Sequence, residues 1–124
     1  MIHLLIAATI VASPAQQSFD CDVDDCGKTP RIVVVSPETK LRRYKKKIVA
    51  PYKSWTNAVA SCESGGRWHI ATGNGFYGGL QFTLSSWQAV GGVGMPHLAS
   101  RLEQRFRAVK LLHVQGYGAW PICG

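Results

Sequence analysis

From Ser54 to the C-terminus the chain offers two acidic side chains, Glu63 and Glu103, and no aspartate. Glu103 stands three residues after Ser100, the Ser-x-x-Glu spacing of a capping box, so the start of a helix accounts for it. Glu63 has no such structural duty. It falls in the last turn of a predicted helix, where the negative end of the dipole disfavours a carboxylate, and it adjoins tryptophan-rich apolar sequence and Gly65-Gly66. Both effects favour the neutral acid and raise its pKa. A carboxyl group that keeps its proton near neutral pH can protonate the oxygen of a departing alcohol, as glycosidic bond cleavage requires. The competing reading is a solvated residue at a helix end.

Other chemistries find less support. His69, near Trp68 in a turn-rich stretch, reads as a packing or surface residue. A Ser-His-Asp set is unavailable without an aspartate in this region, and Cys62 has a candidate disulfide partner in Cys123, which argues against a Cys-His nucleophile. Gly73-Asn74-Gly75 follows no strand and leads into no helix bearing a lysine, so it is not a phosphate loop. The cysteines lack metal-ligand spacing and the four histidines are scattered, so no metal and no cofactor is expected.

Three helices must position these groups. Ser54 is expected to cap the first, whose apolar face is Trp55, Val59 and Cys62, with Gly65-Gly66 ending it. Thr83 caps a short second helix with Leu84 and Trp87, ended by Gly91-Gly92. Ser100 begins the third, with a buried stripe of Leu102, Phe106, Val109 and Leu112 and Gly116 as its stop. Between the first two, Trp68 to Gln81 reads as turns with one small hairpin around Gly73-Asn74-Gly75. The expected fold is α+β, mainly helical, with a minor β-hairpin.

The 124 residues leave room for one domain, placed at 54–124, where all four tryptophans fall. Residues 1–15 read as a signal peptide: the apolar run through Ile6 to Val11 is too short to span a bilayer, and Ser13-Pro14-Ala15 offers small residues for cleavage. A buried N-terminal strand or helix is the alternative. Residues 16–53 read as a linker, acidic over 16–39 with Asp20, Asp22, Asp24, Asp25 and Glu38, and basic over 40–53. The alternation of Asp20, Asp22 and Asp24 departs from a calcium loop, since Asp25 and Arg31 stand at its glycine and glutamate positions. The basic run suits an anionic wall or membrane surface, or a solvated tether.

Export lets Cys21, Cys26, Cys62 and Cys123 pair. Three connectivities are open; spacing leans towards Cys21 with Cys26 and Cys62 with Cys123.

The run Trp55 to Phe82, with Cys62-Glu63-Ser64-Gly65-Gly66, Thr72-Gly73-Asn74-Gly75-Phe76-Tyr77-Gly78-Gly79 and Leu80-Gln81-Phe82, resembles the transglycosylase-like domain of resuscitation-promoting factors. So does the ending Gln115-Gly116-Tyr117-Gly118-Ala119-Trp120-Pro121-Ile122-Cys123. The resemblance implies a small hybrid of the lysozyme and lytic transglycosylase folds. It implies a protein secreted by an actinobacterium or its phage that attacks the β-1,4 bond between N-acetylmuramic acid and N-acetylglucosamine. By position it makes Glu63 the catalytic glutamate, pairs Cys62 with Cys123, and places a saccharide groove on Asn74, Tyr77, Gln81, Gln115 and Trp120. Amide groups can bond sugar hydroxyls, and an indole can stack on a sugar ring or simply pack in the core. The sequence departs from the commonest pattern at Phe76, Thr83 and Ser86, and is a few residues shorter over Val93 to Ala99.

Peptidoglycan is the implied partner, with other cell-wall hydrolases as further candidates. Neither nucleic acid nor stable membrane insertion is expected, and the chain is expected to act as a monomer. Two rival functions remain: a non-catalytic wall-binding or growth-signalling module, and a cationic antimicrobial or phage lysis factor.

Overall fold

Four α-helices, linked by short single-turn segments, dominate the computed structural model, which describes residues 33–124: α1 (Pro37–Val49), α2 (Lys53–Ser64), α3 (Leu84–Ala89) and α4 (Arg101–Gln115). The expected signal peptide, the four aspartates of the acidic stretch, Cys21 and Cys26 lie outside the described residues. No described helix is long and apolar enough to cross a membrane.

Residues 37–49 were expected within a basic linker, but they are helical. The local code supports this: the Ser36 hydroxyl accepts from the Thr39 amide at 3.2 Å, Pro37 occupies the first turn with Glu38, and Lys46 and Lys47 meet the negative end of the dipole. The edge of Tyr44 packs against Phe106 with ring centroids 6.1 Å apart, Val49 is buried, and Lys45 pairs with Glu103. Val34–Gly124 thus form one compact unit.

The predicted cap at Ser54 is not used. Helical backbone runs on from α1 through the turn Ala50–Tyr52, so α2 begins at Lys53 with Tyr52 at its N-cap position and Ser54 inside the helix. The other signals hold. Gly65, at φ 62°, ends α2, and its amide and that of Gly66 bond back to Ser61 and Ala60. Thr83 caps α3 by accepting from the Ser86 amide, and Ser100 caps α4 by accepting from the Glu103 amide. The second half of the capping box is absent: the Glu103 carboxylate accepts from Lys45 and Arg107 instead.

Helix α4 is buried on two sides. Phe106, Val109 and Leu112 of the predicted stripe are buried and Leu102 is half-buried, but Gln104, Ala108 and Leu111 are buried as well. Ala108 and Leu111 join Val59 and Ala60 of α2, Trp87 of α3 and the loop residue Phe82 in the core. Each large side chain removed from water there contributes on the order of 2 kcal/mol. The expected hairpin is reduced to two isolated antiparallel bridges, Ala71 to Tyr77 and Tyr77 to Phe82. Gly73, Gly75 and Gly78 all take positive φ between the bridge partners, so no longer ladder can form.

Candidate active site

Glu63 occupies the last turn of α2, half-buried, with no bonding partner among the described residues. Burial raises its carboxyl above the ordinary pKa. The residues on either side are fixed. Cys62 is joined to Cys123 by a disulfide with Cα atoms 5.8 Å apart. Ser64 is buried, and its hydroxyl lies 2.9 Å from the Ala60 carbonyl and 2.8 Å from that of Gly79.

Gly79 opens the segment that leads to Gln81. A Cβ on Gly79 would come within 2.8 Å of the Trp68 ring, so only glycine permits this approach. Its amide donates to the Gln104 side chain at 2.9 Å, while the Gln104 amide nitrogen donates to the carbonyls of Trp68 and Ala99. Gln104 is thus fully buried and satisfied, and it clamps α4 to the loop. Its period in α4, four residues before Ala108, could have marked it, but a polar residue did not enter the apolar stripe.

A groove of about 460 Å³ opens beside this segment. Gln81, Gln115 and Trp120 line it together, along with Phe76, Thr83 and Ser86. None of its lining side chains is ionisable. Gln81 holds φ at 50°, the only positive value among the described non-glycine residues, and its amide nitrogen donates to the Gly78 carbonyl at 2.9 Å. Such strain is retained where the surroundings over-determine a conformation, commonly at binding sites. Phe76, Thr83 and Ser86 stood out in the sequence as departures from the family pattern, and they mark the groove wall.

Trp120 is only 4% exposed. Its indole N–H donates to the Leu80 carbonyl at 2.8 Å, and its ring packs edge-on against Trp55 and Phe82. It is therefore a core residue that shows one margin to the groove, which limits ring stacking with a sugar. Asn74 and Tyr77 do not line the groove. Asn74 is exposed, with its side-chain oxygen accepting from the Phe76 amide at 3.1 Å, which shapes the turn. Tyr77 stacks on His97 at 5.6 Å, and its backbone bonds reciprocally with Phe82. His69 is exposed and donates from Nδ1 to the His97 carbonyl at 2.7 Å, in keeping with the surface reading. Glu63 does not line the groove either. It is tied to it through Ser64 and Gly79, and through the disulfide that anchors the chain three residues beyond Trp120.

Glu103 is the electrostatic opposite of Glu63. Burial alone would raise its pKa, but hydrogen bonds and charge from Lys45 and Arg107 reverse this and hold it below the usual carboxylate range. It is a structural anion. Among the described residues no three His, Cys, Asp or Glu side chains gather as a metal site would require.

A raised, unpartnered carboxyl at the end of a helix and an uncharged groove, both within a small, mainly helical unit, suit the class of lysozyme-like, transglycosylase-like domains. The chain belongs to the transglycosylase-like domain family carried by resuscitation-promoting factors, which matches residues 49–123. It is 62% identical over 74 residues to the resuscitation-promoting factor Rpf of Micrococcus luteus, covering 60% of this chain and 33% of that protein. Against RpfC of Mycobacterium tuberculosis (strain ATCC 35801 / TMC 107 / Erdman) it is 55% identical over 74 residues, covering 60% and 52%. Against RpfE of Mycobacterium tuberculosis (strain ATCC 25618 / H37Rv) it is 54% identical over 76 residues, covering 61% and 44%. The matched part of the chain thus spans from a third to just over half of the length of these relatives. The match begins at Val49, so α1 up to Ile48 lies outside it.

Proposed function

We propose that this chain cleaves the glycan strand of peptidoglycan at the β-1,4 bond between N-acetylmuramic acid and N-acetylglucosamine, outside the cell, with Glu63 as the acid. The carrying observation is Glu63 itself: a half-buried carboxyl with a raised pKa and no partner, one residue from the hydrogen bond that fixes the groove segment. The apolar N-terminus and the disulfide support secretion. The names of the relatives carry a role in resuscitation to this chain, through wall remodelling.

Retaining and inverting glycosidases set two carboxylates across the bond they cleave. Here Glu103 is committed to Lys45 and Arg107, which leaves Glu63 alone. Glu63 first gives its proton to the glycosidic oxygen as the bond from that oxygen to the muramoyl C1 breaks. The resulting carboxylate then takes the proton of the muramoyl 6-hydroxyl as that oxygen bonds to C1. The acid is restored, no water is consumed, and the product is an anhydro sugar. The uncharged groove suits neutral N-acetylated sugars, with Gln81 and Gln115 supplying amide contacts.

Purified sacculi incubated with the full chain and with Glu63→Gln test this. The wild type should release muropeptides lighter by one water than hydrolytic products, and the variant should release essentially none. Undiminished release by Glu63→Gln overturns the assignment. Fully hydrated products throughout would replace the anhydro step by hydrolysis while keeping Glu63 as the acid.

A further inference from the structure

We propose that the outer face of α1 is a binding surface for a linear anionic polymer of the cell wall, separate from the groove. Lys40, Arg43 and Lys47 recur at i, i+3 and i+7, so they share one face, and Lys46 stands beside them. All four are exposed, and none forms a salt bridge among the described residues. Their row runs about 10 Å along the helix axis. Lys45, whose side chain turns towards α4, is the cation of α1 that is neutralised, by Glu103. The described residues hold twelve Lys or Arg against three Glu, so the surrounding field adds to the attraction.

The same geometry argues against a lipid surface. A helix lying on a bilayer needs a free apolar face. In α1 the apolar residues lean towards α4 rather than forming a free apolar face: Val49 is buried, Tyr44, 54% exposed, sets its edge against Phe106, and Leu41, 51% exposed, lines a groove with Leu102 and Glu103. The free face offers charge without anchors, which fits a hydrated chain of repeated phosphodiesters or carboxylates. Held to such a polymer, the enzyme would stay at the wall while its groove remains open to the glycan. The choice of a wall polymer rests on the proposed function, whereas the cationic face does not.

The test uses the full chain, its Lys40→Gln/Arg43→Gln/Lys47→Gln variant and Glu63→Gln. Binding is measured to poly(glycerol phosphate), to polyglucuronate at equal charge density, and to anionic phosphatidylglycerol vesicles. The wild type should bind one or both polymers with an affinity that falls steeply as salt rises. The triple variant should bind at least tenfold more weakly, keep its thermal midpoint, and cleave soluble peptidoglycan fragments as the wild type does. Glu63→Gln should bind the polymer as tightly as wild type while releasing nothing, so the two proposals can fail separately. Binding to neither polymer, undiminished binding by the triple variant, or tighter binding to the vesicles overturns the inference.

Discussion

The Ser64 hydroxyl lies 2.8 Å from the Gly79 carbonyl, and this bond joins the end of the helix that carries Glu63 to the loop that carries Gln81. Removing it leaves a buried carbonyl without its partner, which costs about 1–3 kcal/mol. Ser64→Ala should therefore lower the thermal midpoint by several degrees. It should also lower turnover on sacculi more than the stability loss explains, because acid and groove lose a shared tie. Calorimetry and muropeptide release, both at a temperature where the variant stays folded, check this.

Glu63→Gln should be at least as stable as wild type at neutral pH. A carboxyl whose folded pKa is raised binds its proton more tightly when folded, so ionisation above that pKa costs folding stability. The amide avoids that cost, and its advantage should shrink as pH falls through the carboxylate range. In parallel, wild-type activity should decline as pH rises through the Glu63 pKa and the acid loses its proton. Thermal midpoints and rates across pH 4–9 measure both; a Gln variant less stable at pH 7 contradicts the desolvation account.

Glu103 should show the opposite sign. Its pKa is lowered, so the stability it contributes is present above the ordinary carboxylate pKa and is lost as pH falls through the lowered value. Glu103→Gln should destabilise the protein at pH 7, leaving Lys45 and Arg107 without their anion, and the difference should narrow in acid. Denaturant midpoints at pH 7 and pH 3 check this.

Reduction of Cys62–Cys123 should lower stability and activity together. The bridge closes a loop of 61 residues, worth roughly 4 kcal/mol on the chain-entropy account. Non-reducing peptide mapping of the active protein should recover the linked pair, and a fully active protein with Cys62 free contradicts the role given to the bridge.

Gln104→Leu should be the most damaging of these substitutions. It strips partners from the Gly79 amide and the carbonyls of Trp68 and Ala99, at about 1–3 kcal/mol for each group left buried and unpaired. Loss of soluble expression, or a thermal midpoint lowered by ten degrees or more, is the expected outcome.

The helices around the site were legible because their signals are local. Thr83, Ser100, Gly65 and Gly116 act within one turn, and the structure uses each as the sequence suggests. Glu63 stood out by elimination, since only Glu103 competes with it in this region, and the direction of its pKa shift was readable from its apolar surroundings. Tertiary context decided the rest. Ser54 could not cap because the preceding chain is already helical. Glu103 left its capping box because Lys45 and Arg107 offer charge. Helix α1 was hidden by its own composition: a run of cations reads as tether until Tyr44 and Val49 find α4. Trp120 answered to both readings, being core and groove wall at once.

Phe106 sits beneath a canopy: Tyr44 meets it edge-on, and the cations of Lys45, Arg107 and Lys110 lie 5.4 Å from its ring. Two of those four cover groups belong to α1. A fragment cut to the family-matched span from Val49 would keep the acid, the groove and the disulfide, yet it would uncover this ring and leave Glu103 with Arg107 alone. Such a fragment would present a sticky aromatic spot to its neighbours in solution. The shortest well-behaved form of this protein for biochemistry should therefore begin before Ser36, ahead of the span the family model matches.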